Sequence, residues 1–206
     1  MITNILAIGA HPDDIEFGLG GTVAKLAENG HSVFFLIMTF GGNPIDNEVR
    51  KKEAMVAGEF LGVEKIIFGG VDPFKLAHDR KNIKIIESVI EEFKPDEIYL
   101  PHISDTHQDH RNVTLCALSA TRRFSKTIYF YETPSTLEGF IPQRFVDIGK
   151  HVSTKKIALN AHASQHTKYF LYLMDAMEGL AITRGMQSRN SIKYAEAFQI
   201  FRDVEK

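Results

Sequence analysis

The sequence predicts a single domain over residues 1–206, a doubly wound three-layer α/β fold that is Rossmann-like, with a mostly parallel sheet and a C-terminal elaboration. Three observations lead there. Short, wholly apolar runs alternate with helical stretches, as strands buried on both faces of a parallel sheet require. Gly or Pro stands at the ends of those stretches. No composition break, repeat or low-complexity tract divides the 206 residues.

The elements follow in order. Ile5 to Ile8 and Val33 to Thr39 read as the first two strands, bounded by Gly or polar residues. Between them Thr22 to Asn29 is helical in composition, and Gly30 suits the residue just past a helix end. A second helix is expected from about Glu48 to Leu61, closed by Gly62, and Ile66 to Phe68 forms the third strand. Ile83, Ile86, Val89, Ile90 and Phe93 share one helical face, which Pro95 terminates. Ile98 to Leu100 is the fourth strand and Val113 to Ala120 the next helix. Beyond Lys126 the alternation weakens. Thr127 to Tyr131 and Ala197 to Phe201 read as strands, Tyr169 to Leu180 as a helix, and Pro134 and Pro142 as loop markers.

Composition excludes several classes. The 24 Lys and Arg nearly balance 26 Asp and Glu, for a formal net charge of −2, so nothing draws the chain in bulk to nucleic acid or to an anionic membrane. The apolar run from Val33 to Met38 is far shorter than the roughly 18 to 20 residues of a membrane span. The first residues have no basic region before their short apolar run and meet Asp13 and Asp14 soon after, unlike a signal peptide. One cysteine, Cys116, allows neither an intrachain disulfide nor a cysteine-rich zinc module, so a cytoplasmic location is expected.

In open α/β sheets, ligands bind beyond the carboxyl ends of the strands. The first strand is followed by Gly9-Ala10-His11-Pro12-Asp13-Asp14, and the fourth by Pro101-His102-Ile103-Ser104-Asp105-Thr106-His107-Gln108-Asp109-His110. Both loops are dense in imidazole and carboxylate. A catalytic zinc takes three protein ligands and keeps a place for water. His11 and Asp14, three apart in a turn stiffened by Pro12, can meet at one ion, and His110 is the choice for the third ligand. Asp13 then remains free to accept a proton. If the segment after the fourth strand is extended, His107 and Asp109 share a side, and their pairing would fix the tautomer of His107 and raise its pKa. His102 lies closer to the strand and is less well placed. Gly18, Gly20 and Gly21 do not open directly from the strand as a dinucleotide fingerprint would, and are read as tight helix packing.

At these residues the sequence resembles the LmbE/PIG-L family of zinc-dependent deacetylases acting on N-acetylglucosaminyl groups. AIGAHPDDIEFGLGGT from Ala7 to Thr22 and THQDHRNV from Thr106 to Val113 carry the likeness. Weaker matches extend it over nearly the whole chain: Arg50 and Glu53 in RKKEA, YETPST from Tyr131, HASQ from His162, and YAEAF from Tyr194. The resemblance implies His11, Asp14 and His110 as zinc ligands, Asp13 as general base, and His107, oriented by Asp109, as electrostatic or general-acid partner. It also implies Tyr194 as an oxyanion stabiliser and Arg50 as a contact to substrate hydroxyls or phosphate. Members often read RHPDH where Thr106 to His110 stand here, a departure that removes no ligand.

The expected reaction is hydrolysis of the acetamide of a small amino-sugar conjugate, releasing acetate and a free amine. Fe²⁺, Co²⁺ or Mn²⁺ are alternatives to Zn²⁺ in such a site. Rival readings are an amidase for a larger acyl group or thiol conjugate, a metal-dependent phosphoesterase, and a non-catalytic zinc or nucleotide module. The resemblance also implies a homo-oligomer, trimeric or hexameric.

Overall fold

A computed structural model of the chain describes residues 2–42, 47–189 and 191–205. Seven strands form one sheet in the order β3-β2-β1-β4-β5-β7-β6. β1 (Asn4–Gly9), β2 (Ser32–Thr39), β3 (Lys65–Val71), β4 (Glu97–Pro101) and β5 (Thr127–Tyr131) run parallel. β7 (Ala195–Arg202) is antiparallel to β5, and β6 (Arg144–Asp147) is antiparallel to β7 at the edge.

The apolar runs bury both faces of the sheet, as parallel strands must. In β1, Leu6 and Ile8 face one core, which they share with Ile86, Val89 and Ile90 of α3 (Arg80–Phe93) and Val113 and Ala117 of α4 (Gln108–Ala120). Ile5 and Ala7 face the other, with α1 (Asp14–Glu28), α2 (Asn47–Leu61) and α5 (Val152–Asn160). α6 (Lys168–Gln187) packs outside this second layer through Phe170 and Met177 against Phe17 and Leu159. Among the described residues no helix is long and apolar enough to cross a membrane.

Every strand and helix expected through β5 is present, although α1 and α4 begin earlier than read, α4 at Gln108 in place of Val113. Gly30 takes a left-handed φ of 81° just past α1 and donates its N–H to Ala27 O. Two elements, β6 and α5, lie in the region where the alternation weakened and were not read from the sequence. α1 starts at Asp14, eight residues before the helix expected at Thr22. Its first half contains the glycine group, whose low helix propensity is overridden by packing. A Cβ on Gly18 would stand 2.2 Å from the Tyr131 ring, and one on Gly21 2.8 Å from Ile148. These glycines serve helix packing, as the sequence reading held.

α1 is broken at Leu19, where φ is −145° and ψ is 22°. The backbone groups released there are buried and must find partners. Glu196 of β7 accepts the N–H groups of Gly21 at 3.0 Å and Thr22 at 2.6 Å. Lys155 of α5, almost fully buried, donates to Phe17 O at 2.8 Å and pairs with Glu196 at 2.6 Å. This buried pair ties the break in α1 to α5 and β7. Lys155→Met leaves the Glu196 charge buried without a cation and is expected to cost about 3–5 kcal/mol in urea unfolding. Replacing both residues with apolar ones should recover part of that loss.

Candidate active site

β1 and β4 are neighbours in the sheet, and the chain leaves them in opposite directions, toward β2 on one side and β5 on the other. The loops after them therefore flank a switch point, where a crevice opens. A cleft of about 410 Å³ lies there. His11, Asp13, Asp14, Arg50, His107 and His110 all line it.

Asp14 organises the first loop. Its Oδ2 accepts the N–H groups of Ala10 and His11, each at 2.9 Å, so the carboxylate turns back across the loop instead of capping α1. Oδ1 stands 3.1 Å from His110 Nε2, and Oδ2 stands 3.6 Å from His11 Nδ1. Burial works against the Asp14 anion, but His110 and His11 hold its pKa well below the usual carboxylate range. Asp13, at the position just before the helix, has φ 98° and makes no side-chain cap. This is a left-handed conformation that Asp tolerates better than most residues. Its carboxylate is 3.6 Å from Arg50 Nη2. Burial and the Asp14 charge push its pKa up to about 7, with Arg50 opposing.

Each of two imidazoles is held by a carboxylate behind it. His110 turns Nε2 to Asp14 and Nδ1 to Asp105 Oδ2 at 3.1 Å. His11 turns Nδ1 toward Asp14 and Nε2 to Asp109 Oδ2 at 3.0 Å. Burial lowers both pKa values, but the facing carboxylates prevail, leaving His11 at about 9 and His110 at about 10. Asp105 is itself fixed by Thr133 Oγ1 at 2.8 Å and the His107 N–H at 2.8 Å. His110 helps to bring the Asp105 pKa down to about 2 although burial opposes this.

The donors fit a divalent cation. Ligands on a tetrahedral ion with bonds of about 2.0–2.1 Å stand roughly 3.3 Å apart; Asp14 Oδ1 and His110 Nε2, at 3.1 Å, are close to that spacing, and His11 Nδ1 stands 3.6 Å from the other Asp14 oxygen. Ring nitrogens of His11, His107 and His110 lie within 4.8 Å of one another. Imidazole with carboxylate is a donor set for zinc and its divalent neighbours. The carboxylates behind His11 and His110 are the usual supports of ligating histidines.

Two expectations need correction. Asp109 does not orient His107. The segment is the first turn of α4, where residues two apart do not face each other, and the Asp109 carboxylate goes to His11 while only its backbone N–H reaches His107 Nδ1, at 3.2 Å. Burial and the neighbouring imidazoles His11 and His110 lower the His107 pKa instead of raising it. Tyr194 is also absent from the cleft lining; its hydroxyl bonds Glu178 of α6 at 3.2 Å. Arg50 does line the cleft, yet its terminal nitrogens go to Pro12 O at 2.9 Å and to Phe40 O, bracing the two loops. His102 packs against Phe130 and Phe140, away from the cluster.

The sequence reading missed Asp105 and Thr133. A carboxylate five residues before a candidate histidine ligand was the available signal for Asp105. Thr133 lies in the YETPST stretch. Two other weak matches meet each other, since Glu53 accepts the Ser164 N–H and hydroxyl, both at 2.6 Å.

A family model described as PIG-L, GlcNAc-PI de-N-acetylase, matches residues 6–121, more than half of the chain. The chain belongs to the PIG-L family. Within that deacetylase family it is 37% identical over 169 residues to YaiS of Escherichia coli K12, described as an uncharacterized deacetylase, covering 78% of this chain and 90% of that one. It is 29% identical over 224 residues to the diacetylchitobiose deacetylase of Thermococcus kodakarensis, covering 96% and 83%. The crystal structure of GalB, the 4-carboxy-2-hydroxymuconate hydratase of Pseudomonas putida KT2440, superposes with a TM-score of 0.85 over 100% of this chain and 99% of that one, at 22% identity. This last likeness speaks for the PIG-L fold alone.

Zinc titration of the metal-free protein tests the donor set. Asp105→Asn and Asp109→Asn are each expected to weaken zinc binding about 10- to 100-fold, read by competition with a chromogenic chelator. Unchanged affinity in either variant would remove the histidine it supports from the set.

Proposed function

We propose that the protein hydrolyses the N-acetyl group of an amino sugar or amino-sugar conjugate, giving acetate and the free amine. The observation that carries this reading is the meeting of Asp13 with His11, Asp14 and His110 in one cleft. The amino-sugar class is supported by the family and by the relative named for diacetylchitobiose.

His11, Asp14 and His110 would hold the cation, zinc by donor chemistry, with Fe²⁺, Co²⁺ or Mn²⁺ suiting the same atoms. When bound, such a cation supplies Lewis acidity toward the amide carbonyl and lowers the pKa of water. Asp13 is not one of the three donors, so its carboxylate is free to take the proton of the attacking water. Arg50 and the left-handed backbone keep that carboxylate in place. His107 accepts the Asp109 N–H at Nδ1, which leaves the proton of the neutral ring on Nε2. It therefore acts as a hydrogen-bond donor toward the developing oxyanion. Asp13 then returns its proton to the departing amine. Tyr194 has no part in this scheme.

The test is amine and acetate release from N-acetylglucosamine and N,N′-diacetylchitobiose, alongside longer N-acyl chains. Asp13→Asn is expected to retain zinc and lose about 10²–10⁴-fold in kcat, whereas His11→Ala should lose both metal and turnover. Near-normal turnover in Asp13→Asn would take the base assignment away. Faster release of a longer acyl chain than of acetate would favour an amidase for larger acyl groups.

A further inference from the structure

A second hollow, of about 460 Å³, adjoins the catalytic cleft and shares Thr133 and Pro134 with it. One helix walls both. Tyr169 and Leu173 of α6 face the catalytic cleft, and Ala176, Leu180 and Arg184 face the second hollow. These positions are spaced by four, three, four and four residues, so they form one stripe on one face of the helix. The buried side of α6 is a neighbouring row, Phe170, Met177, Ala181 and Gly185, of which Phe170 also reaches the catalytic cleft. The fold leaves the stripe partly uncovered: Tyr169 is 70% exposed, and Leu137, across the second hollow, is 54% exposed.

Charge along this path is already committed. In the catalytic cleft, the terminal nitrogens of Arg50 are occupied by Pro12 O, Phe40 O and Asp13, and its Nε is buried without a partner. In the second hollow, Arg184 forms a two-pronged pair with Glu132, at 2.6 Å on each prong. The remaining charge on the described lining there is the exposed carboxylate of Glu138. His11 and His110 face Asp14, Asp105 and Asp109, so no Lys or Arg on the described lining is left over to hold a phosphate or carboxylate group.

We infer that the substrate carries an uncharged aglycone with an apolar face, which leaves the catalytic cleft over the Thr133-Pro134 ridge and lies along Leu173, Ala176 and Leu180. This rests on the deacetylase reading above and adds the substrate's second half. The subsite selects against anionic conjugates because their charge would lose water without gaining a partner. It favours alkyl or aryl chains long enough to follow the roughly 10 Å of helix between Leu173 and Leu180.

The experiment compares kcat/KM for amine release by the zinc-loaded protein on three substrates: methyl N-acetyl-β-glucosaminide, the octyl glycoside below its micelle concentration, and N-acetylglucosamine 1-phosphate. The octyl glycoside is expected to exceed the methyl glycoside by about tenfold or more, and the phosphate to be the poorest. Ala176→Glu, at an exposed position, should bring the octyl-to-methyl ratio near one. Leu180→Asn should reduce that ratio several-fold. Equal values for the two glycosides, a preference for the phosphate, or an unchanged ratio in both variants would overturn the subsite and leave deacetylation standing. Absence of amine release from both glycosides would overturn the deacetylase reading and the subsite with it.

Discussion

The site depends on one buried carboxylate. Asp14 folds the loop after β1 onto itself by accepting two backbone N–H groups, and it opens α1. With its other oxygen it faces His110 from a loop nearly a hundred residues away in sequence. A buried anion is costly without partners, and here the same partners that relieve it define the cluster. The two loops are thus joined through side chains at the ends of adjacent parallel strands, where the sheet gives no backbone pairing.

The surrounding polar groups repeat this economy of partners. Asp105 and Asp109 each stand behind a histidine, and Arg50 ties the loop of His11 to the segment after β2. Farther out, Lys155 and Glu196 satisfy the backbone freed by the break in α1. Most of these side chains are buried, and each fixes a group that would otherwise be free to turn. The cleft is therefore prepared by the fold before any ligand enters it.

Much of this was legible in the sequence because it is local. His11, Asp13 and Asp14 are set by one turn, and His107 and His110 by one helix start, so short spacing placed them together once the strand ends were recognised. The parallel half of the sheet was legible for the same reason. What failed depended on longer-range geometry or on a wrong local assumption. Asp109 was paired with His107 by treating the segment as extended, but the start of α4 turns that carboxylate toward His11. Tyr194 rested on resemblance alone, and its hydroxyl is taken by Glu178 across a contact that no local pattern reports. The early start of α1 was hidden by glycines whose poor propensity is offset by the Tyr131 ring against Gly18. Asp105 was visible but unused, since its role appears only once His110 needs a partner for its second nitrogen.

The positive φ of Asp13 narrows which side chains that position accepts without strain. Glutamate has the right acid but a longer, bulkier stem for a left-handed turn. Asparagine and glycine accept the turn but bring no acid. The proposed chemistry and the backbone shape each admit a few amino acids, and the two sets meet in aspartate. The backbone around Asp13 therefore sets a condition on the side chain that is separate from the one set by the proposed proton transfer.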